Sequence, residues 1–304
     1  MADYRSKRVF VTGANGFVGA HMVARLMAQG AVVTCLLRPT SDRSRFDALG
    51  IEPRVLICDL NDPKRLDALV RPLAAEYVFH LAAERDHNTL ARADVEGRSA
   101  CAGINVMEAA ASEHLVRFVS VGSASEVSDG LTGQPGSLHG KSKARELLAL
   151  RILAKKLNIR YAPTRTHYVY GPLQSRRKLV PVAIRAARDG LTVPLTGPDI
   201  CKRYVYVLDL VEALLQVPDI PATQQKVHLI TSPQQVTNLT VVKKIAALMG
   251  KPITIAPNSF AEREFDRSDW DLSEAGTPLP AWQPTTSLDD GLRACVNWEA
   301  EALV

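Results

Sequence analysis

Cysteine is scarce: five residues, Cys35, Cys58, Cys101, Cys201 and Cys295, are scattered through 304 positions with no C-x-x-C pair. That spacing provides neither a zinc-ligand pattern nor a disulfide framework, so buried free thiols and no metal site are expected. Long apolar runs are missing too, since no stretch approaches the roughly 18 consecutive apolar residues of a membrane-spanning helix. The opening Met1-Ala2-Asp3-Tyr4-Arg5 leads into a strand-like segment without the apolar core of a signal peptide. A cytoplasmic protein with no membrane partner is expected. No internal repeat or low-complexity segment is present, and no long block of like charge. The formal charge of +5 is spread along the chain, with small basic clusters at Arg38 to Arg45 and at Arg176-Arg177-Lys178. Sites for phosphorylated small molecules explain such clusters, and nucleic acid is not an expected partner.

With 46% hydrophobic and 23% charged residues, the composition is that of an ordinary globular chain, long enough for one large domain or two modest ones. Short apolar runs alternate with amphipathic stretches through the first half: Arg8–Thr12, Val32–Leu37, Arg54–Cys58, Tyr77–Leu81 and Phe118–Val121. Such alternation predicts βαβ units, hence an α/β protein with a parallel sheet covered by helices on both faces. Right-handed crossovers then put the strand ends along one functional edge. The second half is less regular. Tyr161–Tyr170 and Tyr204–Val207 are expected as strands, Leu179–Gly190 and Leu239–Met249 as helices, separated by loops rich in proline and glycine.

The first expected strand runs into Gly13-Ala14-Asn15-Gly16-Phe17-Val18-Gly19 and then a helical pattern to Gln29, with Gly30 as its stop. In this strand–turn–helix context the first glycine permits a tight turn, the second lets backbone approach a pyrophosphate, and the third lets helix and strand pack closely. The helix N-terminus favours the anion. The reading is a doubly wound Rossmann-type sheet over 1–170, with 203–218 returning to it, and a smaller C-terminal substrate-binding region mainly in 171–304.

The spacing Gly13-x-x-Gly16-x-x-Gly19 resembles the extended short-chain dehydrogenase/reductase family, in its nucleotide-sugar epimerase, dehydratase and ketoreductase branch. Asp59-Leu60, His80-Leu81-Ala82-Ala83, Tyr170-Gly171-Pro172, Arg203 to Asp209, Trp282-Gln283-Pro284 and Asp290-Gly291-Leu292 agree with it, so the resemblance covers nearly the whole chain. It implies that Asp59 meets the adenine amino group and that Leu60, Leu81, Ala82 and Ala83 line the dinucleotide. Where a carboxylate at the end of the second strand would bind the ribose hydroxyls of NAD, this chain has Leu37 followed by Arg38. A guanidinium there pairs with a 2′-phosphate, with Ser41 and Arg43 as assistants, so NADP is favoured over NAD. The alternative is that Arg38 is a solvated charge after a strand.

The family's proton transfer uses Y-x-x-x-K, whose two side chains lie one turn apart on a helix. The lysine holds the nicotinamide ribose, and its cation depresses the phenol pKa. The matching segment here is His139-Gly140-Lys141-Ser142-Lys143, with His139 in place of the tyrosine and Lys143 retained. The usual serine or threonine position falls on Ala124, flanked by Ser123 and Ser125, either of which is a candidate. Glu126 matches one member of the acidic pair used by sugar dehydratases, while Ser125 replaces the other, which counts against full dehydratase chemistry. Three readings stay open: an oxidoreductase with His139 as acid/base, an enzyme whose acid is Glu84, Glu126 or Tyr168, or a cofactor-binding protein with weakened chemistry.

On the substrate side the resemblance places Arg203 on the diphosphate of a nucleotide sugar; Glu84 and Tyr168 are further candidate contacts, Arg176 either adds positive potential there or belongs to an exposed basic run, and a homodimer is the expected assembly. Two function classes follow: an NADP-linked ketoreductase or epimerase (or dehydratase) of a nucleotide-activated sugar, or a non-catalytic dinucleotide-binding regulator. Lys143 favours the first, because binding alone has less use for a lysine one turn from a proton donor.

Overall fold

Strand and helix follow one another as the apolar patterning dictates. The computed structural model describes residues 3–83, 92–127, 135, 137–221, 226–260 and 272–301, with backbone only for 92–96. Its elements are β1 (Arg8–Thr12), α1 (Phe17–Ala28), β2 (Val32–Leu37), α2 (Ser44–Ala48), β3 (Arg54–Ile57), α3 (Pro63–Val70), β4 (Tyr77–His80), α4 (Arg92–Ala110), β5 (Arg117–Ser123), α5 (Leu138–Lys156), β6 (Tyr161–His167), β7 (Val169–Tyr170) and α6 (Leu179–Asp189). They continue as β8 (Thr192–Pro194), β9 (Cys201–Lys202), β10 (Val205–Tyr206), α7 (Val207–Gln216), β11 (His228–Thr231), β12 (Val236–Thr237), α8 (Asn238–Met249), β13 (Thr254–Ala256), β14 (Thr277–Pro278) and α9 (Leu288–Glu301).

The chain forms two compact units. The first takes Met1–Thr166, Val211–Leu229 and Ser273–Pro280. It is built on an eight-stranded sheet in the order β14-β11-β6-β5-β4-β1-β2-β3. β1 pairs in parallel with β2 on one side and β4 on the other, Thr12 lying opposite both Leu36 and His80. The strand order therefore turns round at β1, and the crevice outside the carboxyl ends of β1 and β4 is where such sheets bind ligands. Strands β1 and β2 are buried along nearly their whole length, as strands covered on both faces must be. Phe10, Leu36, Val78, Val106, Met107, Phe118 and Leu150 form the core beneath them.

The second unit takes His167–Leu210, Ile230–Leu272 and Ala281–Val304. Its short strands pair in twos, β7 with β10, β9 with β12 and β8 with β13. Tyr168, Tyr170, Tyr204 and Tyr206 pack edge to face at centroid distances of 5.1 to 5.8 Å.

Two expected strands differ from what forms. Tyr161–Tyr170 is not continuous: β6 stays in the main sheet beside β5, and after Tyr168 the chain takes β10 as its partner, Val205 N donating to Tyr168 O at 3.2 Å. Tyr204–Val207 shrinks to Val205–Tyr206, because Val207, Leu210, Val211 and Leu214 repeat at helical spacing, are all fully buried, and draw Val207 into α7.

Candidate active site

The glycine turn after β1 is shaped by contacts that no side chain tolerates. Gly13 has φ +65°, and a Cβ there would sit 2.6 Å from Ala82 N and from Leu81 C. A Cβ on Gly19 would lie 2.1 Å from Gly13 O. The turn is thus pressed against the backbone following β4 on one side and against its own helix on the other. Gly16 donates to Gly13 O at 2.9 Å and stands at the N-cap of α1, with no capping side chain and no acidic residue in the first turn. A helix entrance of this kind leaves its N–H groups and dipole to an anion.

A cleft of about 190 Å³ opens at this turn. Gly13, Asn15, Gly16, Arg38, Asp59, Leu60, Leu81, Ala82 and Ala83 line it, whereas Phe17, Val18 and Gly19 belong to α1 and are not in its wall. Ser41 and Arg45 lie in the wall beside Arg38. Ser41 Oγ accepts from Arg38 N at 3.0 Å, and Arg45 Nη1 donates to Asn15 O at 3.2 Å. Arg43, the anticipated assistant, stands at the N-cap of α2 and is not in the wall. Arg98 and Ser99 of α4 also face the cleft, unanticipated from sequence. The positive φ at Gly13, the bare helix entrance and the basic wall together fit a dinucleotide with its phosphates.

Beside the cleft lies a buried polar line. Lys143 Nζ donates to Ala82 O at 3.3 Å and to Glu146 Oε2 at 3.0 Å. Glu146 Oε1 faces His80 Nε2 at 3.4 Å, and His80 Nδ1 is 2.7 Å from Thr12 Oγ1. Burial of Glu146 raises its pKa, but the Lys143 cation bonded to it and the neighbouring His80 outweigh burial and hold the carboxyl below its ordinary value. Sequence reasoning missed Glu146 and the role of His80. The signal for Glu146 was its position three residues beyond Lys143, which puts both on one helix face.

Ser137 caps α5 by accepting from Gly140 N at 3.0 Å, and so fixes the first turn, which carries a half-buried His139. Ser123 Oγ and Ser125 Oγ are 2.8 Å apart, and the Ala124 between them is fully buried. Glu126 Oε1 accepts from Ser123 N at 2.7 Å, and its Oε2 from Arg165 Nε at 2.8 Å. Burial pushes the Glu126 pKa up, opposed by Arg165. Gly122, Glu126, Lys143, Glu146 and Thr164 surround a second cavity of about 10 Å³, room for no more than a water molecule. Glu84 lies outside the described residues.

In the second unit Tyr168 stacks edge-on against Tyr204, with Lys202 Nζ 5.5 Å from its ring centre. Arg203 N donates to His167 Nδ1 at 3.2 Å and Arg203 Nη1 to Pro233 O, while Arg176 is exposed.

Residues 9–230 match the NAD dependent epimerase/dehydratase family. The chain is 25% identical to dTDP-L-rhamnose 4-epimerase of Burkholderia thailandensis, over 98% of its own length and 96% of that protein's. Its fold is like that of the UDP-glucose 4-epimerase of Thermotoga maritima solved with UDP-glucose (TM-score 0.79, 21% identity, 97% of this chain and 99% of that one). It is equally like the UDP-glucose 4-epimerase of Thermus thermophilus solved with NAD (TM-score 0.79, 22% identity, again 97% and 99%). With a matching pattern that spans both the glycine turn and the α5 lysine, this chain belongs to the NAD-dependent epimerase/dehydratase family.

Proposed function

We propose that this chain is an NADP-linked enzyme that reduces a keto group of a nucleotide-activated sugar or epimerises it. The observation that carries the reading is the placement of Lys143, whose ammonium reaches the carbonyl of Ala82 in the wall of the cleft. A lysine there holds the ribose hydroxyls of a nicotinamide nucleotide by charge-assisted bonds. The bound dinucleotide supplies the hydride acceptor and donor. His139, one helical turn before Lys143, moves the proton: the neutral ring takes it from an alcohol, and the protonated ring gives it to a ketone. The joined hydroxyls of Ser123 and Ser125 provide a donor to the same substrate oxygen.

The preference for NADP rests on Arg38, Arg45 and Ser41 in the cleft wall and on Leu37 where a ribose-binding carboxylate would stand. Glu126, with both oxygens engaged, and Ser125 in place of an acidic partner favour reduction or epimerisation over dehydration. Arg203 is assigned to the substrate diphosphate, and the assembly is a homodimer. The test is titration of the purified protein with NADPH and NADH, then a screen of CDP-, GDP-, UDP- and dTDP-sugars followed by nicotinamide absorbance. Failure to bind either dinucleotide would overturn the reading.

A further inference from the structure

Lys143 and Glu146 are both almost wholly buried, at 5% and 3% exposure. Removing an ammonium from water this completely is costly unless a carboxylate is bonded to it, and Glu146 is bonded at 3.0 Å. Behind Glu146 stands His80, its Nε2 3.4 Å from Glu146 Oε1 and its Nδ1 2.7 Å from Thr12 Oγ1. The line joins the end of β1, which leads into Gly13, the end of β4, which leads into Ala82, and the lysine face of α5. The glycine turn, the cleft wall and the lysine are thus joined by a row of neighbouring buried side chains.

We propose that Glu146, backed by His80, is a positioning residue that holds Lys143 against the wall of the dinucleotide cleft as one half of a neutral ion pair. The inference rests on the reading of Lys143 as the lysine that meets the dinucleotide. Its consequence falls on His139. A bare ammonium one turn away would drive the proton off an imidazole and leave no acid for ketone reduction. An ammonium already matched by a carboxylate acts through its hydrogen bonds and exerts much less of that pull. A neutral pair is the arrangement that suits a histidine at this position.

The experiment follows the His139 resonance in protein carrying ¹³C-labelled histidine, identified among the seven histidines by its loss in His139→Gln. Glu146→Gln exposes the cation and is expected to lower the His139 titration midpoint by about one pH unit. Lys143→Met with Glu146→Gln removes both charges and is expected to return the midpoint to within about 0.3 unit of the parent. Should Glu146→Gln alone fail to fold, Lys143→Met is compared with the double variant, and a higher midpoint in the single variant is expected. Glu146→Asp keeps the charge but withdraws the carboxylate by one methylene, and is expected to leave the midpoint in place while weakening NADPH binding about fivefold. A midpoint indifferent to Glu146→Gln, or to its addition on Lys143→Met, overturns the neutral pair, and unchanged NADPH affinity in Glu146→Asp overturns the positioning role. Parent protein that binds no dinucleotide would refute the functional reading instead, and the titrations, which need no cofactor, still judge the pair.

Discussion

At the scale of single residues, the proposed function leans most on the groups that place charge in the cleft wall. Arg38 lies in its wall with Ser41 bonded to its backbone and Arg45 close by. Arg38→Ala is expected to weaken NADPH about ten- to hundredfold, as loss of a charged hydrogen bond does, while NADH changes little. Titration of both dinucleotides against both proteins checks this, and equal loss for the two would move Arg38 away from the 2′-phosphate. His139→Ala is expected to lower turnover about 10²- to 10⁴-fold at nearly constant dinucleotide affinity, the range for removing a general acid or base. Turnover near the parent value would transfer the proton to another group. Local sequence singled out Gly13, Arg38 and Asp59, which stand in the cleft wall, and Lys143, which reaches Ala82 O, because each sits at a fixed offset from a strand end or in a spaced motif. It did not expose His80 or Arg98, whose part in the site depends on distant strands and helices coming together.

At the scale of elements, α5 carries His139, Lys143 and Glu146 along one face, and its capped N-terminus was legible as a helix start only once Ser137 was seen to accept from Gly140. The expected strand Tyr161–Tyr170 shows the opposite limit. Its apolar pattern is unbroken, yet the chain changes partner strand at Tyr168, a choice made by the position of β10 and invisible to periodicity. The buried pair on α5 also gives a signed pH dependence. Because the Glu146 pKa is held down in the folded chain, its stabilisation is full above the unfolded carboxylate value and is lost as pH falls through the lower, folded one. Glu146→Gln is therefore expected to cost about 3–5 kcal/mol above about pH 5, the range for breaking a buried pair. The deficit should narrow as the solution is acidified below the carboxylate range. Thermal melts of both proteins across that interval measure it, and a deficit that stays constant with pH would show that Glu146 is not ionised in the folded chain.

At the scale of the whole molecule, alternation of strand and helix was enough to give the parallel sheet, since strands buried on both faces read as near-continuous apolar runs. Interleaving of the two units was harder to read, because Val211–Leu229 and Ser273–Pro280 join the first unit after long excursions through the second. The proposed homodimer finds its candidate surface on the outside of α5. Its inner face buries Leu150, Leu153 and Ala154, while Leu148 and Ile152 stand 61% and 64% exposed. A lone exposed leucine needs no explanation, but two large apolar side chains one turn apart form a stripe that, in the proposed homodimer, a second copy of the same helix is expected to cover symmetrically. Each such side chain contributes about 1.5–3 kcal/mol when fully buried, so losing both is enough to dissociate a dimer at micromolar concentration. Light scattering on the parent protein is expected to give the mass of two chains, and on Leu148→Glu with Ile152→Glu the mass of one, with the far-ultraviolet spectrum unchanged. A parent protein of single-chain mass would remove the dimer. A double variant that still elutes as two chains would place the contact on another surface.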